Sequence, residues 1–231
     1  MKLVSTRNLT ALVAVGCLLL VALLLVGRDF PAAFAKLVAS SGFILLAIHA
    51  GGLRSDYGRV ILAGLTFSWL GDAALIGQGR SWFLFGLAAF LLAHVAYIAA
   101  FVIAGLSARW IGVAALPIAI IALAVSEWLD PYLTPGLVVP VRLYIVVISL
   151  MVITAFGARG RGASILIVVG AVSFFLSDLS VAALRLVQTD IPTYILGLPL
   201  YYFAQINFAL STSRNRGPTE AFRKNGPPEN Q

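Results

Sequence analysis

LAGLTFSWLGDAALIG at residues 62–77 and LIVVGAVSFFLSDLSVAAL at residues 166–184 each hold one aspartate inside an apolar run. A helix that crosses a bilayer needs about 20 predominantly apolar residues. Both runs extend far enough on either side of Asp72 and Asp178 to place these acids inside hydrocarbon. A carboxylate there costs roughly 2.5–3.5 kcal/mol on insertion scales, so an intramembrane acid marks a functional site by default. The two runs thus fix an all-α membrane fold and single out two residues for chemistry.

Composition agrees. Of 231 residues, 61% are hydrophobic and 11% are charged, against about 25% charged in a soluble globular protein. The mean hydropathy is +0.99. The net charge of +7 is spread over short loops and the C-terminal tail, which is the positive-inside pattern and not a nucleic-acid footprint. The single cysteine, Cys17, lies in an apolar run and excludes an intramolecular disulfide framework.

Eight stretches are long and apolar enough to span a membrane: about 9–27, 31–50, 59–77, 81–104, 109–126, 139–157, 162–186 and 191–211. They make residues 1–212 an integral bundle of eight transmembrane helices. Residues 213–231 form a polar, basic tail rich in Pro and Gly that reads as disordered. With eight spans both termini face one side. That side carries eleven Lys and Arg residues, the other carries Arg28, Arg80, Arg142 and Arg185, and Lys36 stands near the outer end of the second span. This asymmetry places a multi-pass protein in the cell membrane with both termini in the cytoplasm.

The two halves echo each other. Asp72 is followed by His94 and Tyr97, and Asp178 by Tyr202 and Gln205, each pair at i, i+3, with 22 and 24 residues between acid and pair. Both units run in the same direction, which suggests two parallel four-helix repeats. Counting 1.5 Å per residue puts Asp72 and Asp178 roughly 20–24 Å from the cytoplasmic end of their helices, near the level of His94 and of Tyr201 and Tyr202. Gly64, Ser68 and Asp72 form a small, polar stripe at i, i+4, i+8, and such stripes let helices approach closely. A polar cavity between the third, fourth, seventh and eighth spans is the expected result. His49 and His94 lie far apart with no ligand-pair spacing, so neither a metal site nor a cofactor is expected.

FSWLGDAALI at 67–76 with FLFGLAAFLLAHVAYIAAF at 83–101, and VSFFLSDLSVAALR at 172–185 with LYYFAQ at 200–205, resemble the signature of the YhhN-like family, the lysoplasmalogenases. VRLYIVVISLMVITAFG at 141–157 and FAKLVASSGFILLA at 34–47 agree more weakly. The family usually has Lys-Pro at the start of the second helix where this chain has Lys36-Leu37. The resemblance covers about residues 33–212. It implies a hydrolase that cleaves the vinyl-ether bond of lysoplasmalogens, releasing a fatty aldehyde and a glycerophospho-base, with Asp72 and Asp178 as its paired acids.

That chemistry suits two carboxylates. Vinyl ethers hydrolyse by proton transfer to carbon, and water captures the oxocarbenium ion. One acid must hold a proton while a partner is anionic, the division of labour seen in other carboxylate pairs. On this reading Asp72 and Asp178 are catalytic, and His94, Tyr97, Tyr202 and Gln205 support them. Lys36, Arg142, Tyr144 and Tyr201 contact the substrate, a lysophospholipid drawn from the bilayer, with Lys36 and Arg142 nearest its phosphate. Midplane acids in parallel repeats also describe proton-coupled transporters, in which Asp72 and Asp178 would be the proton sites.

Overall fold

A computed structural model describes residues 5–214. The described residues form eight α-helices and no strand: α1 (Thr6–Leu25), α2 (Asp29–His49), α3 (Asp56–Ala74), α4 (Arg80–Ile103), α5 (Ala108–Leu129), α6 (Pro135–Arg159), α7 (Ile165–Ala182) and α8 (Tyr194–Ser211). A 3₁₀ turn (Asp130–Tyr132) follows α5, and a π turn (Ala183–Val187) widens the end of α7. The tail expected at 213–231 lies, beyond Arg214, outside the described residues.

Local signals set the helix ends within a few residues of the expected spans. Ser5 and Ser55 accept hydrogen bonds from the amides of Asn8 and Gly58, so α1 and α3 start three residues earlier than apolarity alone indicates. Pro135 occupies the first turn of α6, where its missing N–H costs nothing. Beyond α4 and α6, Gly105 and Gly162 take φ of +90° and +94°, a conformation that glycine alone adopts without strain.

Six of these helices are long and apolar enough to cross a membrane: α1, α2, α4, α5, α6 and α7. The chain is a multi-pass membrane protein built as a helical bundle. The exceptions, α3 and α8, have a physical explanation. They carry Ser68 and Asp72, and Tyr201, Tyr202, Gln205 and Asn207, and all of these are buried in the bundle. Roughly half of each helix faces protein, so these two need less apolar surface than a helix facing lipid. At the other extreme, α5 buries only Ala114 and Leu129 and turns an almost wholly apolar surface outward.

The neighbour pattern repeats along the chain. The pairs α1/α2, α2/α3 and α3/α4 recur as α5/α6, α6/α7 and α7/α8, and the cross-half contact α2/α8 recurs as α6/α4. Glycines eight residues ahead of each acid permit the closest of these approaches. A Cβ on Gly170 of α7 would stand 2.6 Å from Cε1 of Phe208 on α8, and one on Gly64 of α3 would run into the Tyr97 ring on α4. Gly64→Val should therefore destabilise the bundle by about 1–3 kcal/mol, read as a lower midpoint of thermal unfolding in detergent. An unchanged midpoint would show that the α3/α4 contact yields freely.

Candidate active site

Asp72 and Asp178 line one cavity of about 430 Å³, together with Lys36, Tyr144 and Tyr201. Its remaining walls are mostly apolar and include Leu20, Leu24, Ile145 and Ile148. The cavity lies among all eight helices and not only the third, fourth, seventh and eighth. The reason is visible at the acids, since α2 and α6 supply bonding partners that stand beside the acid-bearing helices.

Asp72, only 2% exposed, is held on both oxygens. Ser40 Oγ donates to Oδ2 at 2.6 Å and the Tyr201 hydroxyl donates to the same oxygen at 2.7 Å. Lys36 Nζ lies 3.3 Å from Oδ1. Tyr202 stands behind this group, 3.1 Å from Ser40 Oγ, and donates to the Lys36 carbonyl at 3.2 Å. Lys36 and Ser40 share one face of α2 at i, i+4, which is how one helix offers both an ammonium and a hydroxyl to Asp72.

Asp178 has a different environment. The Tyr144 hydroxyl donates to its Oδ2 at 2.7 Å. His94 Nε2 stands 2.9 Å from that hydroxyl and 3.3 Å from Oδ2. The Asp178 side chain is 18% exposed, and among the described residues its Oδ1 has no protein partner. Asp72 is thus a fully bonded carboxylate, whereas Asp178 keeps one oxygen free to meet a guest.

The two clusters meet at Phe174. Its ring centroid lies 4.7 Å from that of His94 and 5.4 Å from that of Tyr201, so one aromatic side chain sets both partners of the acids. Tyr97 and Gln205 form a further layer. Tyr97 donates to Gln205 Oε1 at 2.8 Å and lies 3.3 Å from Ser68 Oγ. Neither residue lines the cavity. Arg142 stands apart from the site: it is exposed, paired with Asp130 and absent from the cavity wall. Ser40 and Phe174 were not singled out in the sequence. The i, i+4 spacing of Lys36 and Ser40 is the signal that would have found the former.

The YhhN family model matches residues 32–212, which takes in every residue that holds the acids. The chain belongs to the YhhN family. Among its relatives, the protein named lysoplasmalogenase TMEM86A of Bos taurus is 31% identical over 169 residues, 71% of this chain and 69% of that protein. Lysoplasmalogenase TMEM86B of Rattus norvegicus is 31% identical over 200 residues, 84% and 80% of the two chains. The lysoplasmalogenase of Mycobacterium tuberculosis is 39% identical over 127 residues, 52% and 47% of the two chains. No solved structure matches the chain. For this YhhN-family protein, then, the cavity joins two acids in unlike settings, one saturated with donors and one open to the space between them.

Proposed function

We propose that this protein hydrolyses the vinyl-ether bond of lysoplasmalogens, with Asp178 as the proton donor and Asp72 as its anionic counterpart. The observation that carries the reading is the unequal bonding of the two acids within one cavity. Lys36 and two hydroxyl donors hold Asp72 as a carboxylate. Asp178 accepts from Tyr144 on Oδ2 and offers a protonated Oδ1 to the guest. The relatives' name, lysoplasmalogenase, supports a hydrolase over a permease.

Asp178 gives its proton to the β carbon of the alkenyl chain, and the positive charge comes to rest on the α carbon and the ether oxygen. The Asp72 carboxylate stabilises that charge from across the cavity. Water adds to the α carbon and loses a proton to the Asp178 carboxylate. The hemiacetal then collapses to a fatty aldehyde and a free glycerol hydroxyl, and Asp178 is again protonated. Every protein group needed is an oxygen acid or a hydrogen-bond donor.

The positive-inside count supports both termini in the cytoplasm of a cell-membrane protein. On that reading α3 and α8 also cross, screened from lipid by their neighbours, and the repeated helix contacts reflect two parallel four-helix units. The cavity then opens on the outer side, because the lining from the ends of α1 and α3 and the starts of α2 and α8 lies away from the termini.

Isotopes test the chemistry directly. In D₂O the aldehyde, trapped at once by borohydride, should carry one deuterium on the carbon next to the carbonyl. In H₂¹⁸O the glycerophospho-base should remain unlabelled, since its oxygen is the original ether oxygen. Label in the glycerol product would place the cleavage on the wrong side of that oxygen and end the proposal.

Tyr144→Phe removes the hydroxyl that orients Asp178. It should lower kcat by about ten- to a hundredfold with little change in KM, measured as aldehyde release in nanodiscs. A rise in KM at constant kcat would make Tyr144 a substrate contact instead.

A further inference from the structure

The cavity wall ends in two opposite charges that the two-acid chemistry does not use. Arg185 sits on the π turn and Asp29 on the first turn of α2, and both line the same cavity as the acids. Arg185 donates to the Leu75 carbonyl at 3.3 Å. Among the described residues neither Arg185 nor Asp29 belongs to an ion pair. Both are exposed, so each presents a charge at the mouth of a chamber whose walls are otherwise largely apolar.

Their register along the helices is the telling feature. Arg185 follows Asp178 by seven residues, and Asp29 precedes Lys36 by seven. Seven residues of regular helix are two turns, so Asp29 shares a face of α2 with Lys36 about 10 Å along the axis from it, whereas Arg185 stands beyond Asp178 across the π turn and lines the same cavity. The wider π turn shifts Arg185 relative to a regular helix, as such turns do at functional sites. In a lysoplasmalogen six bonds separate the alkenyl α carbon from phosphorus, roughly 7 Å when extended. An arginine seven residues from Asp178 therefore reaches a phosphate whose vinyl ether lies at the acids. A headgroup ammonium a few bonds farther on pairs best with an anion, and Asp29 is an exposed carboxylate on the lining of the same cavity.

We propose that Arg185 and Asp29 form a receptor for a zwitterionic phospholipid headgroup, with Arg185 taking the phosphate and Asp29 the ammonium. The proposal rests on the hydrolase reading for its substrate class. It transfers the phosphate contact from Arg142, which is engaged with Asp130 away from the cavity, to Arg185. Arg185 and Asp29 also have structural tasks at the end of α3 and the start of α2, so the test must separate recognition from folding.

Saturated 1-O-alkyl ethers lack the bond to be cleaved and report binding alone. Full-length protein in nanodiscs is titrated with 1-O-alkyl-glycerophosphoethanolamine, 1-O-alkyl-glycerophosphate and 1-O-alkylglycerol. Arg185→Gln should weaken both phosphate ligands by about tenfold or more and alter alkylglycerol binding by less than about twofold. Arg185→Lys should retain most of the phosphate affinity. Asp29→Asn should weaken only the ethanolamine ligand. Equal losses on all three ligands, or no loss on the phosphates, would overturn the proposal. Failure of the hydrolase reading shows itself separately, as wild-type protein that binds the ethers but releases no aldehyde from the alkenyl lipid.

Discussion

Asp178→Asn should cut aldehyde release from lysoplasmalogen by about a thousandfold, carried in kcat, because an amide cannot deliver a proton to carbon. General acid catalysis by a positioned side chain contributes typically about 10²–10⁴-fold. The substitution is nearly isosteric, and the amide oxygen still accepts from Tyr144, which now bonds Oδ2 at 2.7 Å. The fold and the cavity should survive. Asp72→Asn should lose a comparable factor for a different reason: it removes the charge proposed to stabilise the oxocarbenium ion. The two losses will not multiply. Groups that act as a unit in one transition state are grossly non-additive, so the double variant should be little worse than either single one. Single-turnover rates on purified protein, with gel filtration to confirm a folded sample, supply the check. Near-wild-type turnover in either variant would remove that acid from the chemistry.

Lys36→Met should cost both stability and activity, and the two should part company in a second variant. The Asp72 side chain is 3% exposed and its lysine partner 16%. Breaking a buried pair by deleting one partner leaves an uncompensated charge, worth about 3–5 kcal/mol. Ser40 and Tyr201 still donate to Asp72, which brings the expected loss toward the lower figure. In the Lys36→Met, Asp72→Asn double variant the orphan charge is gone. Unfolding in detergent should then return most of the way to wild type while turnover stays at background. A double variant as unstable as Lys36→Met would show that packing of the lysine stem, and not its charge, holds this corner.

Much of this was legible in the chain. Asp72 and Asp178 announce themselves because a carboxylate in an apolar run is expensive, and Lys36, Tyr144 and Tyr201 reach the same cavity from their family-like segments. Ser40 stayed hidden because a helical serine is ordinary in a membrane segment, and only the packing of α2 against α3 and α8 gives it a carboxylate. Phe174 was hidden for the same reason among phenylalanines. Arg142 and Arg185 look alike in sequence, both near helix ends. Asp130, in the turn after α5, engages the first, whereas the π turn brings the second to the cavity. The buried polar side chains that α3 and α8 carry also explain their place in the interior.

Each acid is gripped from both halves of the chain. Asp72 on α3 is bonded by α2 and by α8, and Asp178 on α7 by α6 and by α4. During synthesis, therefore, the Asp72 cluster is incomplete until late: with α1 to α7 already made, Asp72 still lacks the hydroxyl of Tyr201. Completion of the Asp72 cluster thus waits on the docking of the last helix.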